Sequence, residues 1–319
     1  VAYGTSAPEL AVTVQSSYAG QADIAIGNIV GSNISNVLLV LGLAAAVGPL
    51  IVAQQLVRLD VPLMIGLSVL VWVFGLDGQI SRLDGLLLTL GAVVYTVFVI
   101  RQSRKESQAV RAEYAQEFGD GQSDTSAGQI LKCLGLVAFG IGMVVLGSRW
   151  LVNGAVLIAQ ILGVSELVIG LTIIAVGTSL PEVATSAVAS LRGERDIAVG
   201  NAIGSNIFNI LLVLGVGSLV VPNGIIVPAT ALRFDMPVMI AVAVACLPIF
   251  FAGYTINRWE GVLFLGYFVA YTLYLFLQAN HYHALGIFST VMIVFVVPIT
   301  FVTIIVLAIR AMLTKQHQV

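Results

Sequence analysis

Residues 4–42 read GTSAPELAVTVQSSYAGQADIAIGNIVGSNISNVLLVLG, and residues 177–215 read GTSLPEVATSAVASLRGERDIAVGNAIGSNIFNILLVLG. At a constant offset of 173 residues, 23 of the 39 positions are identical, where composition alone gives roughly 3. The likeness continues outward. Arg58-Leu-Asp60-Val-Pro62 answers Arg233-Phe-Asp235-Met-Pro237, and Arg82-Leu83-Asp84-Gly85 answers Arg258-Trp259-Glu260-Gly261. A long internal repeat decides architecture before any local reading does.

The repeat lies in a chain built for lipid. Of 319 residues, 59% are hydrophobic and 9% charged, against about 25% charged in soluble domains, and mean hydropathy is +1.03. Fourteen Lys plus Arg against sixteen Asp plus Glu give a net charge of −2, so there is no basic footprint for nucleic acid. Cys133 and Cys246 lie in apolar runs and define neither a disulfide framework nor a metal site. The three histidines all follow residue 280, which excludes a multi-His centre.

About 20 apolar residues cross the hydrocarbon layer as a helix. Such runs predict spans at 1–19, 23–47, 61–76, 83–100, 131–158, 166–190, 197–220, 236–252, 260–278 and 287–309. The polar stretch Arg101–Gln129 reads as the one linker, with 101–118 able to form a surface helix. That topology puts Arg58, Arg101, Arg104, Lys105, Arg111, Lys132, Arg192, Arg195, Arg258, Arg310 and Lys315 on one side. It puts Arg82, Arg149 and Arg233 on the other. By the positive-inside rule the linker and C-terminus face the cytoplasm. The two GTS…PE segments enter from opposite sides, so the halves form an inverted-topology repeat. Many secondary transporters are built this way, with ion sites at the repeat interface near the midplane.

The expected fold is therefore an all-α membrane protein: a first repeat over 1–100, a linker over 101–129 and a second repeat over 130–278. An additional helix and cytoplasmic tail follow over 279–319. Ile130 lies 47 residues before Gly177, whereas three residues precede Gly4. The comparison predicts about 44 further residues, carrying one helix, ahead of Val1, which would give each half five helices.

Glu9 and Glu182 stand inside apolar helices, where a carboxylate is expensive and marks function. Pro8 and Pro181 lack the N–H that would bond the carbonyl four residues earlier, at Gly4 and Gly177. Broken helices at membrane depth are tolerated where freed carbonyls line a cavity or bind ions. Thr5, Ser6, Thr178 and Ser179 add hydroxyls one turn before the glutamates. Oxygen-only donors suit hard cations such as Ca²⁺ and Na⁺, not zinc, copper or iron. Asn28, Ser32 and Asn36 share one helix face, as do Asn201, Ser205 and Asn209. Gly27, Gly31, Gly200 and Gly204 are small-residue pairs that favour close helix packing. Asn33 and Asn206 lie off the stripe and either hold helices together or bind ions. Asp23 and Asp196 read as helix N-caps, and Glu166 after Ser165 as a helix start. Asp60 and Asp235, two residues from Arg58 and Arg233, read as interfacial ion pairs or caps, with a transport role as the alternative. His281 and His283 are a solvated loop feature.

At these motifs the chain resembles the sodium/calcium exchanger superfamily, the calcium:cation antiporters, in its prokaryotic calcium/sodium branch. The resemblance rests on Gly4-Thr-Ser-Ala-Pro-Glu9 with Gly31-Ser-Asn-Ile-Ser-Asn36, and on Gly177-Thr-Ser-Leu-Pro-Glu182 with Gly204-Ser-Asn-Ile-Phe-Asn209. It covers residues 1 to about 278 outside the linker. It implies ten core helices and four central ion sites, to which 287–309 adds a helix. Carried over by position, calcium would take Glu9, Glu182 and the Thr5 and Thr178 carbonyls. Sodium would add Ser6, Ser179, Ser32 and Ser205 with the Ala2 and Ala175 carbonyls, and Asn36 and Asn209 would complete a middle site. Some relatives, including potassium-dependent ones, carry Asp where this chain has Asn209, which leaves potassium dependence open.

The reading is secondary active exchange of Ca²⁺ for Na⁺ in a lipid bilayer, at a prokaryotic inner membrane, with no enzymatic activity, cofactor or nucleic acid. No protein partner is predictable. Proton-coupled calcium exchange on the same fold is the nearest rival, since buried carboxylates can take protons. A passive channel sits poorly with inverted repeats and broken helices. An intramembrane hydrolase lacks a nucleophile.

Overall fold

The computed structural model describes residues 2–118, 127–251, 253–279 and 284–298. The described helices are α1 (Ala2–Thr5), α2 (Ala7–Tyr18), α3 (Ala22–Val47), α4 (Leu56–Asp77), α5 (Arg82–Phe118) and α6 (Ala127–Leu162). They continue as α7 (Glu166–Thr178), α8 (Leu180–Arg192), α9 (Arg195–Val220), α10 (Ala231–Phe251), α11 (Arg258–Ala279) and α12 (Ala284–Val291). Among the described residues six helices are long and apolar enough to cross a membrane, and α7 with α8 make a seventh as a pair bent by 43°. This is a helical, multi-pass integral membrane protein. Residues 299–309 of the last expected span, 287–309, and both His281 and His283 lie outside the described residues.

Much of the expected linker is helical. Helix α5 runs on from its apolar part, Arg82–Gln102, to Phe118, and α6 begins at Ala127. Residues 101–118 contain neither Gly nor Pro and are rich in Arg, Lys, Glu, Gln and Ala, all good helix formers. A polar sequence of that kind leaves the bilayer without leaving the helix.

Burial ranks the spans. Of the α3 span 83% is buried and of α9 72%, against 17% for α5 and α11. The helices carrying the GSN motifs are therefore the centre of the bundle. Their counterparts at the rim are apolar all round because lipid is their solvent.

Four two-residue strands tie the halves together at their ends. Strand β1 (Leu50–Ile51) pairs antiparallel with β4 (Thr255–Ile256), and β2 (Gln79–Ile80) with β3 (Ile225–Ile226). β1 and β2 flank α4, so they lie at opposite ends of the bundle; β3 and β4 flank α10 in the same way. By sequence position β1 corresponds to β3 and β2 to β4. The observed pairing places each strand at the end opposite its counterpart. Equivalent links of the two halves thus lie at opposite ends of the molecule.

The helices contain wide π-type turns that the sequence did not announce. They open at Asn36 in α3 (Asn36–Leu41) and at Asn209 in α9 (Asn209–Leu214), and again at Leu56–Asp60 and Ala231–Asp235. Another occupies Gly170–Ile174 in α7. Such turns recur at functional sites because they redirect side chains within a continuous helix. Here each begins at equivalent positions in the two halves where both copies are described.

Candidate cation site

Each half breaks its helix where the prolines demand it. α1 ends at Thr5 and α2 starts at Ala7, with Ser6 between them at φ −80°, ψ 7°. α7 ends at Thr178 and α8 starts at Leu180, with Ser179 at φ −84°, ψ 4°. Pro8 and Pro181 cannot donate to Gly4 and Gly177, so those carbonyls lose their helical partner. The threonine hydroxyls turn back onto the helix: Thr5 Oγ1 donates to the Ala2 carbonyl and Thr178 Oγ1 to the Ala175 carbonyl, both at 3.2 Å. The same carbonyls accept the Ser6 and Ser179 backbone N–H groups at 3.1 Å. Each threonine hydroxyl has one hydrogen, shared between this carbonyl and the side-chain oxygen of Asn201 or Asn28, so the Ala2 and Ala175 carbonyls keep capacity for an ion.

The two glutamates are fully buried. Ser179 Oγ donates to Glu9 Oε1 at 3.3 Å, and Ser205 Oγ to Glu182 Oε1 at 3.2 Å. Thr178 also borders Glu9, while Thr5 and Ser6 border Glu182. Each half therefore lends its kink to the other half's carboxyl, and the site exists only where the halves meet. The second oxygens, Glu9 Oε2 and Glu182 Oε2, are buried with no hydrogen-bond partner.

The oxygen stripes on α3 and α9 complete this wall. Asn28 is committed to structure: its Nδ2 donates to the Glu9 carbonyl at 3.1 Å and to Thr13 Oγ1 at 3.0 Å, and its Oδ1 accepts from Thr178 at 3.1 Å. Asn201 does the same in the other half, donating to Ser186 at 3.3 Å and accepting from Thr5 at 3.3 Å. Ser32 lies 3.3 Å from the Thr178 hydroxyl and Ser205 3.4 Å from that of Thr5. Asn36 and Asn209 donate through Nδ2 to Asn206 and Asn33, at 3.0 and 3.2 Å, leaving their own Oδ1 atoms buried and unpartnered. Four buried oxygens, two carboxylate and two amide, thus lack a donor, where each such acceptor costs about 1–3 kcal/mol. A cation is the partner that such a set calls for. Among the described residues no group of three or more His, Cys, Asp or Glu forms.

Other expectations fare variously. Asn33 and Asn206 join helices, the packing alternative of the two held open. An added Cβ at Gly27 would lie 2.9 Å from Gly170 Cα, at Gly31 2.7 Å from Ala175 Cβ and at Gly204 3.0 Å from Ala2 Cβ. Close packing therefore holds at three of the four glycines; at Gly200 nothing lies within 4 Å. Ser165 caps α7, accepting from Val168 N at 3.4 Å. Asp23 and Asp196 are not caps: Gln21 and Glu194 hold those positions, and the aspartates fall in the first turn, where they complement the helix dipole. Asp60 and Asp235 are buried and accept from Tyr95 and Tyr271, at 3.0 and 2.9 Å, rather than pairing with the neighbouring arginines. Residues two apart on a helix do not face each other. The tyrosines are partners that sequence reasoning missed; their matching positions in the repeat, 95 and 271, were the available signal.

The profile of the sodium/calcium exchanger protein family matches residues 1–101 and 132–277. The chain is 34% identical over 306 residues to sodium/calcium exchanger MaX1 of Methanosarcina acetivorans, covering 86% of this chain and 87% of that protein. It is 36% identical over 248 residues to inner membrane protein YrbG of Escherichia coli, covering 77% and 75%. A solved structure of the sodium-calcium exchanger NCX_Mj, soaked with Na⁺ and Sr²⁺, superposes with a TM-score of 0.61 at 32% identity, covering 84% of this chain and 83% of that one. The family and these relatives define a membrane cation antiporter, a transporter rather than an enzyme. The chain belongs to the sodium/calcium exchanger protein family.

Proposed function

We propose that this protein is a secondary active antiporter that exchanges Ca²⁺ for Na⁺ through one central site in which Glu9 and Glu182 carry the charge. The observation that carries the reading is the pair of buried glutamates, each with one unpartnered oxygen, set on kinks donated by opposite halves. One Ca²⁺ neutralises both carboxylates. Na⁺ ions use the same two and add the hydroxyls of Ser6, Ser179, Ser32 and Ser205, with Asn36 and Asn209 between them. Holding both sets of ions at once overcharges a low-dielectric cavity. Competition for shared oxygens therefore couples the two fluxes.

Access alternates as α6 moves against the kinked core. Leu151 of α6 lies over Gly177, 3.5 Å from where a Cβ would stand, so motion of α6 would uncover the kink. The positive-inside imbalance puts the end of α5 and the start of α6 in the cytoplasm. The name of the Escherichia coli relative favours an inner-membrane location.

Calcium uptake by vesicles containing the full chain tests the driver. An imposed sodium gradient is expected to drive uptake, and a pH gradient at zero sodium is not. The reverse result reassigns coupling to the proton, and calcium flux without any counterion makes the protein a channel.

A further inference from the structure

Asn33 and Asn206 are buried and stand three residues, about one turn, before Asn36 and Asn209 on α3 and α9. Their bonds cross between the halves. Asn36 Nδ2 donates to Asn206 Oδ1 at 3.0 Å, and Asn209 Nδ2 donates to Asn33 Oδ1 at 3.2 Å. A primary amide has one accepting end and one donating end. Which end Asn36 and Asn209 turn inward therefore decides whether they attract a cation or repel it.

The amides behind them make that choice. Asn206 Nδ2 donates to the Asn33 backbone carbonyl at 3.2 Å and to Met64 Sδ at 3.3 Å; Asn33 Nδ2 donates to Met239 Sδ at 3.5 Å. These partners are acceptors with no hydrogen to give. With its NH₂ end committed to them, each rear amide offers only oxygen forward. The front amide must then donate, which leaves its own oxygen pointing away from the bond. Those oxygens, Asn36 Oδ1 and Asn209 Oδ1, are the ones buried without a partner.

We infer that Asn33 and Asn206, backed by Met239 and Met64, are positioning residues that lock Asn36 and Asn209 with their carbonyl oxygens toward the transported cation. The inference rests on the reading that Asn36 and Asn209 face the ions. The competing account is that the rear amides only hold α3 against α9. The two separate cleanly, because an ionised aspartate has two accepting oxygens and no wrong end to present.

The experiment is a double-mutant cycle in vesicles carrying the full chain: wild type, Asn206→Leu, Asn36→Asp and both together. Half-saturating Na⁺ for Ca²⁺ efflux is the readout, and thermal unfolding reports folding. Asn206→Leu is expected to raise half-saturating Na⁺ about tenfold, the size of one hydrogen bond. In the Asn36→Asp background the same change should shift it by no more than about twofold. An equal loss in both backgrounds, or no loss in either, overturns the inference. If Asn206→Leu fails to fold, Asn33→Leu with Asn209→Asp runs the same cycle in the other half. Glu182→Gln separates the two levels. If it abolishes exchange while the cycle is additive, only the positioning role falls; if it leaves exchange intact, the site reading falls and takes this inference with it.

Discussion

Ser179, at the kink of the second half, donates its hydroxyl to Glu9 of the first half at 3.3 Å, and Ser6, its counterpart, borders Glu182. The exchange of supports means that each carboxyl leans on the kink of the opposite repeat, with Ser205 adding a bond to Glu182 from its own half. It also accounts for the strength of the sequence signal: the same residue is asked to do the same thing twice, so the motif Gly-Thr-Ser-x-Pro-Glu is kept as a block.

Glu9→Gln and Glu182→Gln should each abolish exchange without unfolding the protein. Both side chains are fully buried, with one oxygen unpartnered, so removing charge removes a cost in the ion-free state. Ca²⁺ bound to the folded wild type at a hundredfold excess over its dissociation constant should add about 2.7 kcal/mol of stability. The variants should lose that gain while their ion-free melting temperature stays equal or rises. Thermal unfolding with and without Ca²⁺ checks this. Calcium stabilisation retained by both variants would remove the glutamates from the site.

The carboxyl–phenol pairs of the rim predict the opposite pattern. Tyr271 donates to Asp235 at 2.9 Å, and both are buried. Tyr271→Phe leaves a buried acceptor without its donor and should cost about 1–3 kcal/mol of stability. Calcium exchange per folded molecule should be unchanged, because Asp235 lies outside the proposed oxygen set and is held by Tyr271. Combining Tyr271→Phe with Asp235→Leu should recover part of the loss, since removing both polar partners is cheaper than orphaning one. Denaturation midpoints in detergent, set beside vesicle uptake, measure the two effects separately.

How far the sequence could be read depended on range. The kinks were legible because proline acts on its own helix: Pro8 and Pro181 predict breaks, and the helices stop at Thr5 and Thr178. The glutamates were legible because charge within an apolar span has few innocent explanations. The tyrosine partners of Asp60 and Asp235 were not, since 35 and 36 residues separate the pairs and the nearby arginines offered a simpler story. The wide turns opening at Asn36 and Asn209 leave no compositional trace. The stretches NVLLVL and NILLVL read as ordinary apolar helix, and local propensity does not set a wide turn apart. Residues 101–118 form the helix that their composition allowed, but as a continuation of α5 rather than a separate surface helix, a distinction that a run of helix formers does not encode.

The kink itself can be put on trial. Pro181→Ala restores an N–H able to bond the Gly177 carbonyl, closing the gap between α7 and α8. If the bend of 43° and the freed carbonyl serve ion binding, the variant should be at least as stable as wild type without ions, because the substituted alanine regains a helical hydrogen bond that proline cannot make. Its half-saturating Ca²⁺ should nevertheless rise about tenfold, the loss of roughly one charge-assisted contact. Pro8→Ala should behave alike, because Ser6 lies in the same conformation as Ser179. Uptake titrations on both variants decide the matter. Wild-type calcium affinity in a more stable Pro181→Ala protein would show that the break is a packing accommodation and that the cation is held by side chains alone.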